Sequence, residues 1–213
     1  MTRIKICGIM NRTELSLALR SGADALGFVV EIDSSRHSLT AEQAGRLIRE
    51  VPLFNQSVAV IAPKDVDGAA GLAEACGADV LQVHGSLGPS DLLELKSRVN
   101  QKIVAALCPE TDLAEARLVA GSADAILLDT FAGGVLGGTG RVHDWERSAR
   151  LAAALNVPVI LAGGLHPGNV AEAIRRVRPY AVDASSGLET AGRKDEEKMA
   201  RFVREVRACP TQQ

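Results

Sequence analysis

Apolar residues in this chain fall in short runs of strand length, each followed by a segment of helical period. The first run is Arg3-Ile4-Lys5-Ile6-Cys7-Gly8-Ile9. Residues two apart on a strand share a face, so Ile4 and Ile6 point one way and Lys5 and Cys7 the other. A strand buried in a parallel sheet is ordinarily apolar on both faces. This one carries an amine and a thiol on one face and stops at Gly8. Seven further runs follow, at 25–30, 58–61, 80–83, 103–107, 125–128, 158–162 and 180–182.

Helical signals lie between the runs. Asn11-Arg12-Thr13-Glu14 and Thr40 to Gln43 have capping-box spacing. Ala44, Leu47, Ile48 and Val51 follow the i, i+3, i+4, i+7 pattern. Further helices are predicted over 65–75, after Pro89-Ser90, from near Thr111, over 144–155 behind Asp144, around Val170 to Val177 and around Met199 to Val206. Eight strands alternating with helices predict an α/β chain folded as a single (β/α)8 TIM barrel over 1–213, with 208–213 a frayed tail. A doubly wound open sheet is the alternative. Gly22-Ala23-Asp24, Gly77-Ala78-Asp79 and Ser122-Ala123-Asp124 recur where a helix gives way to a strand, which reads as turn chemistry.

Composition narrows the function. With 46% hydrophobic residues in 213, the chain can bury a sizeable core. A net charge of -2 and 3% aromatics give neither the basic footprint nor the stacking surface of a nucleic-acid binder. No uncharged apolar run reaches the roughly 18 residues of a membrane span. Cys7, Cys76, Cys108 and Cys209 form no CxxC pair, and no secretion signal opens the chain, so reduced thiols in the cytoplasm are expected. No His, Asp or Glu cluster has metal-ligand spacing. The sequence does not separate a monomer from a homodimer.

A barrel places its active site at the C-terminal ends of the strands. Those ends carry Cys7, the 31–38 loop with Arg36, His84, Asp129, Gly163-Gly164 and Asp183-Ala184-Ser185-Ser186-Gly187. The last two stretches follow strands seven and eight, where barrels often hold phosphate. Gly163, Gly164, Asp183, Ser185, Ser186 and Gly187 are therefore read as the phosphate site. Gly138 and Gly140 of Gly137-Gly138-Thr139-Gly140 are read as a further wall, and His84 as pocket lining. Cys7 and Asp129 face one mouth as a base and acid pair. Arg36 offers a bidentate fork to a carboxylate.

Taken in order, these segments resemble the phosphoribosylanthranilate isomerases of tryptophan biosynthesis. The matching stretches are Lys5 to Ile9, Ser21 to Val29, Ser34-Ser35-Arg36, Leu81 to Gly85, Leu127 to Thr130, Gly137 to Gly140, Asp144-Trp145, Leu161 to Leu165 and Val182 to Glu189. The resemblance implies a single (β/α)8 barrel with no cofactor and no metal. It implies the small molecule N-(5-phosphoribosyl)anthranilate as substrate. It implies an Amadori rearrangement with Cys7 as general base, Asp129 as general acid and Arg36 on the anthranilate carboxylate. A site suited to this task is expected to favour the Cys7 thiolate, with help from Lys5. Val30-Glu31-Ile32-Asp33 and Ile61-Ala62-Pro63 depart from the family's usual residues, on the anthranilate side. The competing readings are the related histidine-pathway isomerase and a catalytically silent phosphate-binding barrel.

Overall fold

The computed structural model describes residues 1–132, 135–136 and 144–210. Eight parallel strands close on themselves: β1 (Arg3–Cys7), β2 (Ala25–Val30), β3 (Gln56–Ile61), β4 (Val80–Val83), β5 (Lys102–Leu107), β6 (Ala125–Leu128), β7 (Val159–Leu161) and β8 (Ala181–Ala184). Each pairs with the next, and β1 pairs with both β2 and β8. That closure excludes the open doubly wound sheet. The helices are α1 (Arg12–Ser21), α2 (Ala41–Ile48), α3 (Val66–Cys76), α4 (Pro89–Arg98), α5 (Leu113–Ser122), α6 (Trp145–Ala154), α7 (Val170–Val177) and α8 (Glu196–Arg207).

The period-2 pattern sorts each strand's residues into two cores. Ile4, Ile6, Leu26, Phe28, Leu81, Ile103, Ile126 and Val182 belong to the layer between barrel and helices. Cys7, Val29, Val58 and Val60 form one cluster inside the barrel, and Val104, Ala125, Leu127 and Ala162 form another. Between them the barrel lumen is lined by buried polar groups: Lys5, Gln82, His84 and Asp183. Burial of apolar side chains in the outer layer stabilises the fold at about 25 cal/mol per Å². The polar lumen is where the chain departs from that rule.

Caps start the helices where the sequence places them. Asn11 accepts from the backbone of Glu14, Thr40 and Gln43 form a reciprocal capping box, and Asp65 and Asp112 cap α3 and α5. The recurrent small-Ala-Asp segments do more than turn. Asp24 Oδ2 accepts from Ile4 N at 2.8 Å, Asp79 Oδ2 from Ser57 N at 2.8 Å, and Asp124 Oδ2 from Ile103 N at 2.9 Å. The backbone N–H of each aspartate donates back to the carbonyl of the same residue. An aspartate before each of β2, β4 and β6 thus clasps the strand before it. Before β8 stands Tyr180, whose backbone N–H donates to Val159 O at 2.9 Å with no carboxylate to clasp the strand.

Several boundaries differ from expectation. Strands β3 and β5 begin earlier, at Gln56 and Lys102, because the ladder needs only main chain there and the side chains stay exposed at the barrel base. Strand β8 runs on through Asp183 and Ala184, which pair with Lys5 and Ile6 of β1. Ser38–Leu39 extends the sheet beside β2 within the loop read as irregular. Glu189–Thr190 and Arg193–Lys194 form a small antiparallel hairpin ahead of α8, and Phe131–Ala132 pairs with Val135–Leu136. Ala208 and Cys209 are not frayed: both backbone N–H groups bond to the last turn of α8. Residues 211–213 lie outside the described residues.

Candidate active site

At the C-terminal mouth of the barrel, a pocket of about 280 Å³ is lined by Cys7, Arg36, His84, Asp129, Gly163, Gly164, Asp183, Ser185, Ser186 and Gly187. Strand ends bring in Cys7, Asp129 and Asp183, and loops bring in the others. Gly138 and Gly140 lie outside the described residues.

Two glycines make room for Cys7. Gly8 has φ +77°, and a Cβ there would meet Ser185 Oγ at 2.8 Å and His37 Cγ at 3.0 Å. Its N–H and that of Ile9 both donate to Gly27 O, which turns the chain sharply after the thiol. Gly27 pairs with Cys7 in register, and a Cβ there would lie 2.7 Å from Cys7 Sγ and 2.9 Å from Lys5 Cε. Thiol and amine therefore lean over the same bare backbone.

The lumen is electrostatically coupled. Lys5 Nζ donates to Asp183 Oδ2 at 2.6 Å, and both side chains are buried. Burial alone would lower the Lys5 amine, but Asp183 and Cys7 outweigh it and hold it at about 12. Burial pushes the Cys7 thiol up, against the pull of Lys5 and with a further push from Asp183. This corrects the expectation that the site favours the thiolate. Lys5 is there, but its charge is largely committed to Asp183, and desolvation wins. Burial, then the charge of Asp183, raises the Asp129 carboxyl to about 6, against the backbone bond from Thr130 N at 2.7 Å. His84, buried and facing Lys5, is lowered to about 4 and so is neutral near pH 7, with its Nε2 2.8 Å from Gln82 Nε2.

At the rim, Glu189 gathers three nitrogen-bearing side chains. Lys194 Nζ donates to Glu189 Oε1 at 2.7 Å, His37 Nε2 lies 2.9 Å from the same oxygen, and Arg36 pairs with Oε2. Lys194 also donates to Ser185 O and Oγ, each at 3.3 Å, so a buried cation stands directly behind that loop. The loops after β7 and β8 touch: a Cβ on Gly187 would lie 2.1 Å from Leu165 O. Asp183 differs from its expected place. It lies within β8, paired with Lys5, and a carboxylate there repels phosphate.

The sequence reading missed Glu189, Lys194, His37 and Gln82. A Glu and a Lys in a polar loop carry no signal of burial. Alternation along β4 would have placed Gln82 beside His84 on the lumen face.

A (β/α)8 barrel with a thiol and a raised carboxyl facing one enclosed mouth defines a proton-transferring enzyme acting on a small molecule. The family model for N-(5'phosphoribosyl)anthranilate (PRA) isomerase matches residues 4–205. An N-(5'-phosphoribosyl)anthranilate isomerase of Methanothrix thermoacetophila is 54% identical over 98% of this chain and 100% of its own. Phosphoribosyl anthranilate isomerase from Thermus thermophilus superposes with a TM-score of 0.84 at 30% identity, over 97% of this chain and 99% of the other. A further isomerase structure, solved in complex with reduced 1-(o-carboxyphenylamino)-1-deoxyribulose 5-phosphate, superposes at 0.79 and 29% identity, over 97% and 99%. The chain belongs to the N-(5'-phosphoribosyl)anthranilate isomerase family. It is an isomerase of tryptophan biosynthesis, and its reaction is the Amadori rearrangement of N-(5-phosphoribosyl)anthranilate.

Proposed function

We propose that Cys7 and Asp129 run this rearrangement as general base and general acid, with no covalent bond to the enzyme. Asp129 gives its proton to the ribose ring oxygen as the C1′–O bond breaks, which leaves a protonated imine at C1′. The Cys7 thiolate takes the C2′ proton, and the electrons of that C–H bond form the C1′=C2′ enolamine. Tautomerisation returns a proton to C1′ and converts the C2′ hydroxyl to the ketone. The observation that carries the reading is the convergence of Cys7 and Asp129 on one pocket, with the Asp129 carboxyl raised to about 6. An acid with that pKa still holds its proton in part of the molecules near neutrality.

Arg36 at the rim is assigned the anthranilate carboxylate. Gly163, Gly164, Ser185, Ser186 and Gly187 are assigned the phosphate, with Lys194 adding charge from behind. Neutral His84 walls the pocket floor. The ligand held by the relative solved with the reduced product supports the same two-ended substrate here. The four free cysteines suit the reducing cytoplasm.

Loss of substrate fluorescence tests the assignment. Cys7→Ser and Asp129→Asn should each lower kcat by about 10²–10⁴-fold with KM little changed. A wild-type kcat in either variant removes that residue from its role.

A further inference from the structure

Asp183 is held more tightly than its assigned neighbours require. Its Oδ2 is fixed by Lys5 at 2.6 Å, while its Oδ1 is buried with no hydrogen-bond partner among the described residues. The residue is 6% exposed and lines the pocket. A buried carboxylate oxygen left without a donor is costly, and such an atom in a ligand pocket marks where a ligand's donor belongs. The phosphate and the anthranilate carboxylate of the substrate are anions that a carboxylate oxygen repels, so neither meets Oδ1. The ribose hydroxyls and the amine N–H are the remaining donors.

Position selects among them. Asp183 faces Lys5 across the β1–β8 ladder, and Cys7 is the next residue on the same face of β1. Lys5 Cε and Cys7 Sγ crowd one point above Gly27, so the ammonium that grips Asp183 also adjoins the thiol. The carbon that yields its proton to Cys7 carries a hydroxyl one bond away. We propose that Asp183 Oδ1 accepts the hydrogen bond of the substrate's C2′ hydroxyl and so turns the C2′–H bond toward Cys7 Sγ. This rests on the acid–base reading above and adds a third group to it. Lys5 is then the positioning residue that fixes the carboxylate's rotamer. The same carboxylate, by its negative charge, keeps Asp129 protonated to a higher pH.

The test compares two ligands on the full chain: the reduced product 1-(o-carboxyphenylamino)-1-deoxyribulose 5-phosphate, and the same compound without its C2′ hydroxyl. Wild-type protein should bind the deoxy compound at least about tenfold more weakly, the usual size of a lost hydrogen bond to a charged group. In Asp183→Asn the amide can still accept from Lys5 through one oxygen but turns an NH₂ to the pocket. There the difference should shrink to less than about threefold. Should the Asn variant unfold, Lys5→Met with Asp183→Leu removes the ion pair as a unit, a change buried pairs often tolerate, and the same collapse of the ratio is expected. An unchanged ratio in either folded variant overturns the assignment, as does a penalty that follows removal of the C3′ hydroxyl instead. Wild-type turnover of the fluorescent substrate is measured alongside. Its absence would bring down the acid–base reading, whereas turnover with an unchanged ratio would bring down the Asp183 assignment alone.

Discussion

Gly27 stands opposite Cys7 in the β1–β2 ladder, and the thiol fills the space a side chain there would occupy. A methyl group on Gly27 would also lie 3.1 Å from Cys7 Cα, so neither the sulfur nor the backbone can easily yield. Gly27→Ala should therefore cost about 1–3 kcal/mol of stability, the range for overpacking a close-fitted site. Because the displaced atoms are Cys7 Sγ and Lys5 Cε, kcat should fall at least about tenfold while KM stays near wild type. Urea unfolding and steady-state kinetics on the purified variant check both. A variant with reduced stability but full kcat would show that the thiol has other places to sit.

The acid and base are tuned in an unusual order. The thiol is raised above its ordinary value of 9.0, and the acid titrates at about 6. The productive form, thiolate with carboxylic acid, is then a minority at every pH. Its share rises tenfold per pH unit below about 6, stays level from there to the thiol pKa, and falls beyond it. The wild-type kcat/KM profile should accordingly be flat across neutrality. Asp129→Asn removes the lower break, so its residual activity should keep climbing through pH 7 and 8 toward the thiol pKa. A residual rate that levels off near pH 6 in that variant would assign the lower break to another group.

Arg36 is half out in solvent and already paired with Glu189. The anthranilate carboxylate must join or displace that pair. Arg36→Met should raise KM about tenfold or more and leave kcat within a few fold, because the arginine binds substrate equally before and during reaction. An unchanged KM would free Arg36 of the role.

Burial tends to raise Glu189, but hydrogen bonds from His37 and Lys194 outweigh it and hold the carboxyl at about 2. A depressed carboxyl stabilises the fold fully above its unfolded value near 4.5, and that contribution is lost as pH falls toward 2. Glu189→Gln should destabilise the protein by on the order of 2–3 kcal/mol at pH 7. The gap to wild type should narrow from pH 4.5 downward. Denaturant midpoints across that range measure it, and a gap independent of pH would mean that the loss comes from packing.

Much of the barrel was legible because its strands are mostly apolar and six of its helices carry side-chain caps. Both signals are local. Cys7 and Asp129 stood out because each ends an apolar run with a group that can move a proton. The Lys5–Asp183 pair was half legible: Lys5 reads as lumen-facing beside Cys7, but its partner lies 178 residues away. Only barrel closure brings the two into register. The thiol's direction of titration could not be read from residue types, since it depends on how much water reaches the sulfur. Glu189 and Lys194 drew no site reading, because nothing local shows a hairpin bringing them to the mouth.

The aspartate clasps at the barrel base divide the ring into modules. The side-chain bond from each aspartate to a strand N–H closes within one strand-helix-strand unit, through Asp24, Asp79 or Asp124, while Arg207 of α8 also donates to Asp24 Oδ2 at 2.8 Å. Of the linking helices α2, α4 and α6, α4 reaches a clasp from outside its unit, with Lys96 Nζ 2.9 Å from Asp124 Oδ1. A circular permutant opened at one of those helices would inherit all three units whole. One opened at α1, α3 or α5 would separate an aspartate from the strand it holds and break the pairing at its shortest chain distance. The fourth unit, β7 to β8, has no aspartate clasp among the described residues and is held by its own ladder, Ile160 with Ala181 and Leu161 with Val182, and by β1 and β6 on either side. Three segments of the ring are therefore fastened by an aspartate side chain as well as by their ladder, and the fourth by main-chain pairing alone.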